Sequence, residues 1–221
     1  GNYKHFLSVL LFLISISFAR EISLKNYARQ TSLNFHHDHG GSDQYYYVES
    51  IGAGVCVFDY DGDGILDVYF PQGAPLPGWN KKTLLENKLY RNDGKKWIDV
   101  TQDAGVGDRG YGMGCACGDY DNDGAIDLYV TNFGKDIFYR NNKDGTFTDI
   151  TDEVGIDNPH MGMSAAFFDS DNDGWLDLYV TNYVEYSIAD NPECTSPMQY
   201  PKDGQMLARS YCDPDVFLGV P

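Results

Sequence analysis

Basic residues are scarce in this chain of 221 residues: 16 Lys and Arg stand against 33 Asp and Glu, a formal net charge of −17. Nucleic-acid binding depends on Lys and Arg displacing counterions from phosphates, so this balance excludes a nucleic-acid partner. The same shortage excludes charge-driven attachment to an anionic membrane surface. Long apolar runs are nearly absent too. Only Phe6–Phe18 qualifies, and its 13 residues fall short of the ~20 that a membrane-spanning helix needs. Helical periodicity is missing outside that run. Gly105, Gly107 and Gly110 match a dinucleotide-binding spacing, but no helix pattern follows them, and the fingerprint needs one. Gly162-Met163-Ser164 has the outline of a nucleophile elbow, yet it aligns with Gly52–Gly54 and Gly112–Gly114 and reads as repeat register. With 42% hydrophobic residues, the chain still has enough apolar material for a packed core.

The first residues have the layout of a secretory signal peptide. Gly1–His5 is polar and carries Lys4, the apolar run follows, and Ser17 and Ala19 occupy the small-residue positions of a cleavage site before Arg20. The expected organisation is a signal segment over 1–19 and one domain over 20–221. The mature chain is expected outside the cytosol, with no membrane span, where disulfides persist.

That domain repeats. Asp59–Phe70 reads DYDGDGILDVYF, Asp119–Val130 reads DYDNDGAIDLYV, and Asp169–Val180 reads DSDNDGWLDLYV. LYRNDGKKWIDVTQDAGV (Leu89–Val106) and FYRNNKDGTFTDITDEVGI (Phe138–Ile156) form a second pair. Each unit reads as four short strands. The first, at Gly52–Phe58, Gly112–Gly118 or Met163–Phe168, precedes the Asp-rich loop. The second, as in Asp127–Asn132, follows it. Lys88–Asn92 or Ile137–Asn141 is the third, an Asp-Gly turn follows, and Trp97–Thr101 or Thr146–Thr151 is the fourth. Four-stranded units at this period indicate an all-β propeller. Blade 1 is expected over about 50–101, blade 2 over about 111–151 and blade 3 from about 161, with an insertion over 183–221. Two and a half units are too few to close a ring, so the ring is expected to be incomplete in this chain.

Each loop fits D-x-D-x-D-G-x-x-D. The carboxylates are Asp59, Asp61, Asp63 and Asp67; Asp119, Asp121, Asp123 and Asp127; and Asp169, Asp171, Asp173 and Asp177. Alternate residues on a tight loop turn successive oxygens toward one centre. Gly64, Gly124 and Gly174 allow the sharp turn, and the carbonyls of Ile65, Ala125 and Trp175 complete the candidate set. All-oxygen sites of this kind suit Ca²⁺, while the lack of His and Cys disfavours Zn²⁺. An EF-hand would need Glu at position 12 and flanking helices; here Phe70, Val130 and Val180 stand there. About three ions are expected, and most of the net charge lies in their ligands.

Five cysteines remain to be placed. Cys56, Cys115 and Cys117 fall in first strands and read as small apolar core residues. Cys194 and Cys212 lie in the insertion and are expected to form a disulfide. His36, His37 and His39 form a cluster whose metal-site reading is weaker than a structural one. Strand reversal places the Asp loops and Asp-Gly hairpins on one face of the disc. The opposite face receives 71–87 and 183–221, whose aromatic residues Trp79, Tyr183, Tyr186, Tyr200 and Tyr211 form a candidate ligand face.

Phe35, His37 and Gly40, then Glu49, Ser50, Gly52 and Gly54 ahead of the first loop, together with LYRN and D-V-T-x-x-A-G, resemble the FG-GAP/VCBS repeats of integrin-like β-propellers, most closely the ASPIC/UnbV, cartilage-acidic-protein-like branch. The resemblance runs from about Phe35 onward. It implies a calcium-binding propeller, commonly of seven blades, and a structural role for His37. It does not imply a defined activity. The C-terminal ASPIC/UnbV domain of that branch is not in this sequence. The expected function is a secreted calcium-binding module that binds an extracellular protein or glycan, with no catalytic residues assigned. An enzyme (a lyase or hydrolase acting at the propeller mouth) and a carbohydrate-binding propeller are the alternatives.

Overall fold

A computed structural model describes residues 30–197, 207–213 and 217–219. The expected signal segment and Tyr200 lie outside the described residues. Two four-stranded antiparallel sheets follow one another along the chain. The first joins β1 (Cys56–Phe58), β2 (Asp67–Phe70), β3 (Lys88–Asn92) and β4 (Trp97–Asp99); after helix α1 (Thr101–Ala104), the second joins β5 (Tyr111–Gly118), β6 (Asp127–Phe133), β7 (Ile137–Asn141) and β8 (Phe147–Asp149). β9 (Gly162–Phe168) and β10 (Asp177–Asn182) pair as the start of a third unit. The insertion adds β11 (Val184–Glu185), β12 (Cys194–Pro197), β13 (Leu207–Ser210) and β14 (Leu218–Gly219), paired β11–β14 and β12–β13. The architecture is that of all-β propeller blades.

Period-2 alternation determines how blades stack. In β6, Leu128 and Val130 point into a cluster with Phe58, Tyr69 and Leu89 of blade 1. Tyr129, between them, joins Phe138 and Ile150 in a cluster packed by Phe167 and Leu178 of blade 3. Each sheet therefore has two apolar faces and needs a neighbour on both. Tyr69 and Tyr129, in equivalent positions, are each 0% exposed, whereas their counterpart Tyr179 is 61% exposed. Val55 and Val57 leave the other face of blade 1 similarly open.

Three features differ from the sequence reading. The first strand of blade 1 covers only Cys56–Phe58 rather than starting at Gly52, because Gly54 donates its N–H to the Met113 carbonyl of blade 2 at 2.8 Å and not to its own sheet. A short helix stands where no helix was expected: residues of the D-V-T-x-x-A-G segment close one turn, capped by Gly105 at φ 75°. Its Thr101 hydroxyl accepts the Leu89 N–H at 3.0 Å, and Thr151 accepts the Phe138 N–H at 2.9 Å in blade 2. The third correction concerns Cys56 and Cys115, which are paired in a disulfide and not simply packed; their Cα atoms are 5.9 Å apart. The close approach of the inner strands makes this possible. A Cβ built on Gly114 would come within 2.5 Å of the Met163 carbonyl oxygen of blade 3. Cys117 is the free thiol, and Cys194 and Cys212 form the second bridge.

Residues 34–50 and the described parts of both insertions pack together at the N-terminal ends of the inner strands. Tyr47, Val48, Leu76, Tyr111, Met161 and Val184 form their buried centre.

A non-reduced digest analysed by mass spectrometry should show Cys56 linked to Cys115 and Cys194 linked to Cys212, with Cys117 alone open to alkylation. Joint replacement of Cys56 and Cys115 by Ser should lower stability by about 2–4 kcal/mol, since the bridge closes a long loop. Alkylation of Cys56 in unreduced protein would refute this pairing.

Candidate metal centre

The three Asp loops share one geometry, built from the backbone up. The fourth position takes a left-handed conformation, at Gly62 (φ 76°), Asn122 (φ 54°) and Asn172 (φ 63°). Gly and Asn are the residues that reach this region at least cost. The carboxylate of the first position ties the loop together. Asp59 accepts the N–H groups of Gly62 and Asp63 on Oδ1, at 2.9 and 3.1 Å, and that of Gly64 on Oδ2 at 2.8 Å. Asp119 and Asp169 accept those of Asp123 and Gly124, and of Asp173 and Gly174.

The ninth position closes the site. Asp67 is the first residue of β2; its Oδ2 accepts the Tyr60 N–H at 3.1 Å and its Oδ1 the Asn92 N–H at 2.8 Å. Asp127 repeats this with Tyr120 at 3.0 Å and Asn141 at 2.8 Å. Both are almost fully buried, and burial pushes each carboxyl up to about 6. Asp177 is exposed, and the Ser170 hydroxyl and N–H hold its carboxyl below the usual value. Its counterparts are buried beneath a third strand, which blade 3 does not have among the described residues.

The result is three trios, Asp59, Asp61 and Asp67; Asp119, Asp121 and Asp127; and Asp169, Asp171 and Asp177. In each, one oxygen per residue lies within 4.8 Å of the others. Each trio can hold a metal ion. The fifth-position residues, Asp63, Asp123 and Asp173, stand outside these groups. Each instead accepts the N–H of the seventh residue, Ile65, Ala125 or Trp175, at 2.8–2.9 Å. The second site tests the fit most sharply. Asp121 Oδ1 is buried and accepts no hydrogen bond, although a buried carboxylate oxygen ordinarily has a partner. A cation held by the trio would satisfy it. His36, His37 and His39 join no group of three metal-ligating side chains among the described residues.

Asn92 and Asn141 are residues of the candidate site that the sequence reading passed over as part of a strand. Besides their backbone bonds, Asn92 Nδ2 donates to the Leu66 carbonyl at 3.3 Å and Asn141 Nδ2 to those of Ile126 at 3.0 Å and Tyr60 at 2.7 Å. Tyr60 belongs to the first loop, so Asn141 ties two sites together across a blade boundary. Asn122 Nδ2 makes the next link, to Gly174 of the third loop at 2.9 Å. The signal was the N that ends both LYRN and FYRN. Lys143 adds charge balance, with Nζ 3.3 Å from Asp123 Oδ2.

On the opposite face, Tyr183 and Tyr211 are each 39% exposed. Trp79 is half-buried, with Lys81 Nζ 4.8 Å from its ring centre. Tyr186 is structural in character, accepting the Tyr47 N–H at 3.2 Å and donating to Asn191 at 2.9 Å.

Residues 119–180 match the FG-GAP-like repeat family. The matched span runs from the first ligand of the second loop to the end of the third repeat. No curated protein matches the chain.

Raised carboxyls give the pH dependence a definite sign. Asp67 and Asp127 rise from 3.8 to about 6 and Asp136 rises in the same direction, so ionising them costs the folded state. That cost is present above about pH 6 and relieved toward pH 4. In chelator, the protein should melt higher near pH 5 than near pH 7.5; a saturating cation should reverse the order, because it needs the ionised forms. Calorimetry at both pH values reads this, and an unchanged order in the two media would overturn it. Asn141→Ala should cost about 1–3 kcal/mol and weaken cation uptake at the first and second sites together.

Proposed function

We propose that this chain is a calcium-stabilised, propeller-type binding module that works outside the cytosol. The observation that carries the reading is the threefold recurrence of one oxygen cage, with a buried, unpartnered Asp121 oxygen in its second copy. The donor set is hard and all-oxygen, which suits Ca²⁺ over softer metals. Asp59, Asp61 and Asp67 and their counterparts would provide the converging oxygens. Asp63, Asp123 and Asp173, with the carbonyls of Ile65, Ala125 and Trp175, are the remaining members of the set. When bound, the ion cancels the repulsion among carboxylates and locks each loop; it supplies no chemistry.

Two disulfides and the signal-like first 19 residues support an oxidising compartment. The FG-GAP-like match supports an interaction role. Trp79, Tyr183 and Tyr211, on the face away from the Asp loops, are the proposed contacts to an extracellular protein or glycan, together with Tyr200 of the second insertion sequence. The rigid blades position these long segments, which is where binding residues concentrate.

Isothermal calorimetry on the folded chain should find about three calcium ions per molecule, and chelation should lower the melting temperature. Asp121→Ala should remove the second site and leave the third intact. A folded chain that takes up no calcium would sink the proposal. Trp79→Ala and Tyr200→Ala should weaken partner binding without changing calcium uptake; if binding instead follows changes in the Asp-Gly hairpins, the contact face is the other one.

A further inference from the structure

The non-repeating segments build a cavity on the face opposite the Asp loops. Its volume is about 330 Å³, and its lining includes His39, Asp43, Tyr45, Glu49, Lys81 and Tyr211. That size is at the lower end for ligand pockets, suited to one side chain or one small residue and not to a large cofactor.

Its walls are fixed. Gly40, at φ 64°, lies so close to the first insertion that a Cβ there would come within 1.8 Å of the Ala74 carbonyl oxygen. The Leu76 N–H donates to the Gly40 carbonyl at 3.0 Å, and the Ser42 hydroxyl to that of Pro77 at 2.8 Å. Tyr211 is held by its neighbour Cys212, bridged to Cys194, and by the β12–β13 pairing.

Glu49 is the chemical centre. It is 7% exposed, its Oε1 accepts the Ser42 N–H at 3.1 Å, and its Oε2 accepts the Tyr211 hydroxyl at 2.9 Å. Burial and this carboxylate push the Tyr211 hydroxyl up to about 12, so it remains a donor. No Lys, Arg or His among the described residues forms an ion pair with Glu49; the pairs that form involve Asp38, Asp61, Glu86, Asp99, Asp123 and Asp152. Buried charges are ordinarily matched. Lys81, which is part of the cavity lining, pairs with Asp38 at 2.8 Å and lies over Trp79. Asp43 adds a second carboxylate to the lining, so an anion is disfavoured. Tyr45 and Tyr211 meet edge to face with ring centres 5.3 Å apart. Carboxylates beside tyrosine rings form a site that favours an organic cation over a neutral polyol.

We infer that this cavity receives a basic side chain, the guanidinium of Arg or the ammonium of Lys, from a partner polypeptide, with Glu49 as counter-charge and Tyr45 and Tyr211 as walls. The inference rests on the binding-module reading above and narrows it to a protein partner.

The test uses the full chain saturated with calcium and follows tyrosine-ring NMR signals during titration. The probes are Nα-acetylarginine amide, Nα-acetyllysine amide, Nα-acetylnorleucine amide and a methyl glycoside. One or both basic probes should shift the Tyr45 and Tyr211 signals, and the other two should not. Glu49→Gln, which keeps shape and removes charge, should weaken binding about tenfold or more, because hydrogen bonds to charged groups contribute about 1.5–3 kcal/mol. If that variant fails to fold, judged by its calcium uptake and melting, Tyr45→Ala replaces it and should lose most of the binding. Equal binding of norleucine or the glycoside, unchanged affinity in Glu49→Gln, or no response to either basic probe would each overturn the inference. Calcium uptake separates the two readings. Uptake without a basic-probe response defeats only the cavity; a response without uptake defeats only the calcium reading.

Discussion

At the first residue of the second strand, one carboxylate joins a loop to a sheet. Asp67 and Asp127 each accept one N–H from the loop before them and one from the end of the third strand. The same residues supply an oxygen to the metal-ligating trio. Their burial makes the arrangement costly without a cation, because desolvation disfavours the charged form. Loop conformation, strand register and ion binding are thereby coupled. Asp177 has the loop bond but is exposed, which shows how much of the coupling comes from the third strand.

Adjacent sites are coupled in turn, by packing as much as by hydrogen bonds. Tyr60, at the second loop position, packs against Phe147 of blade 2, and Phe138, which Tyr120 meets within blade 2, packs against Phe167 of blade 3. Asn141 and Asn122 add polar links across successive boundaries. At the inner strands, Gly54 and Gly114 permit the close approach that the Cys56–Cys115 bridge spans. A blade in this arrangement is a layer between neighbours, and its loops are rigid to the degree that those neighbours are present. The exposure of Tyr179 against the burial of Tyr69 and Tyr129 measures what the third unit lacks on its outer side.

Much of this was legible in the sequence, because a repeat multiplies weak signals. One Asp-rich loop is an ordinary turn; three in one register define both the strand order and the ligand spacing. β3 and β7 fall at the residues read from the pattern. The Cys56–Cys115 pair was hidden by the same logic. Repeat alignment sets Cys56 beside Ala116, so a bridge offset by one residue between blades has no counterpart to reveal it. The helical turn at Thr101–Ala104 was too short to show periodicity. Asn92 and Asn141 looked like strand ends because their partners, Leu66, Ile126 and Tyr60, are backbone carbonyls. A backbone partner can be any residue and leaves no trace in composition.

Glu49 marks where repeat logic ends. Its partners lie 7 and 162 positions away, in segments that occur once, and no periodicity connects them. The repeats and the insertions thus divide the work. Carboxylates on the loop face converge in threes that could hold a small, strongly charged cation. On the other face the buried Glu49 carboxylate lies beside the Tyr45 and Tyr211 rings, a setting that matches a larger and softer cation. The inner strands separate these faces; β5 alone spans Tyr111 to Gly118, roughly 3.3 Å per residue. At that separation screening removes most direct interaction between surface charges. What connects the faces is the rigidity of the blades: loops locked at one end hold the inner strands, and the inner strands carry the Tyr111 hydroxyl that anchors the His39 carbonyl at 2.7 Å beneath the cavity.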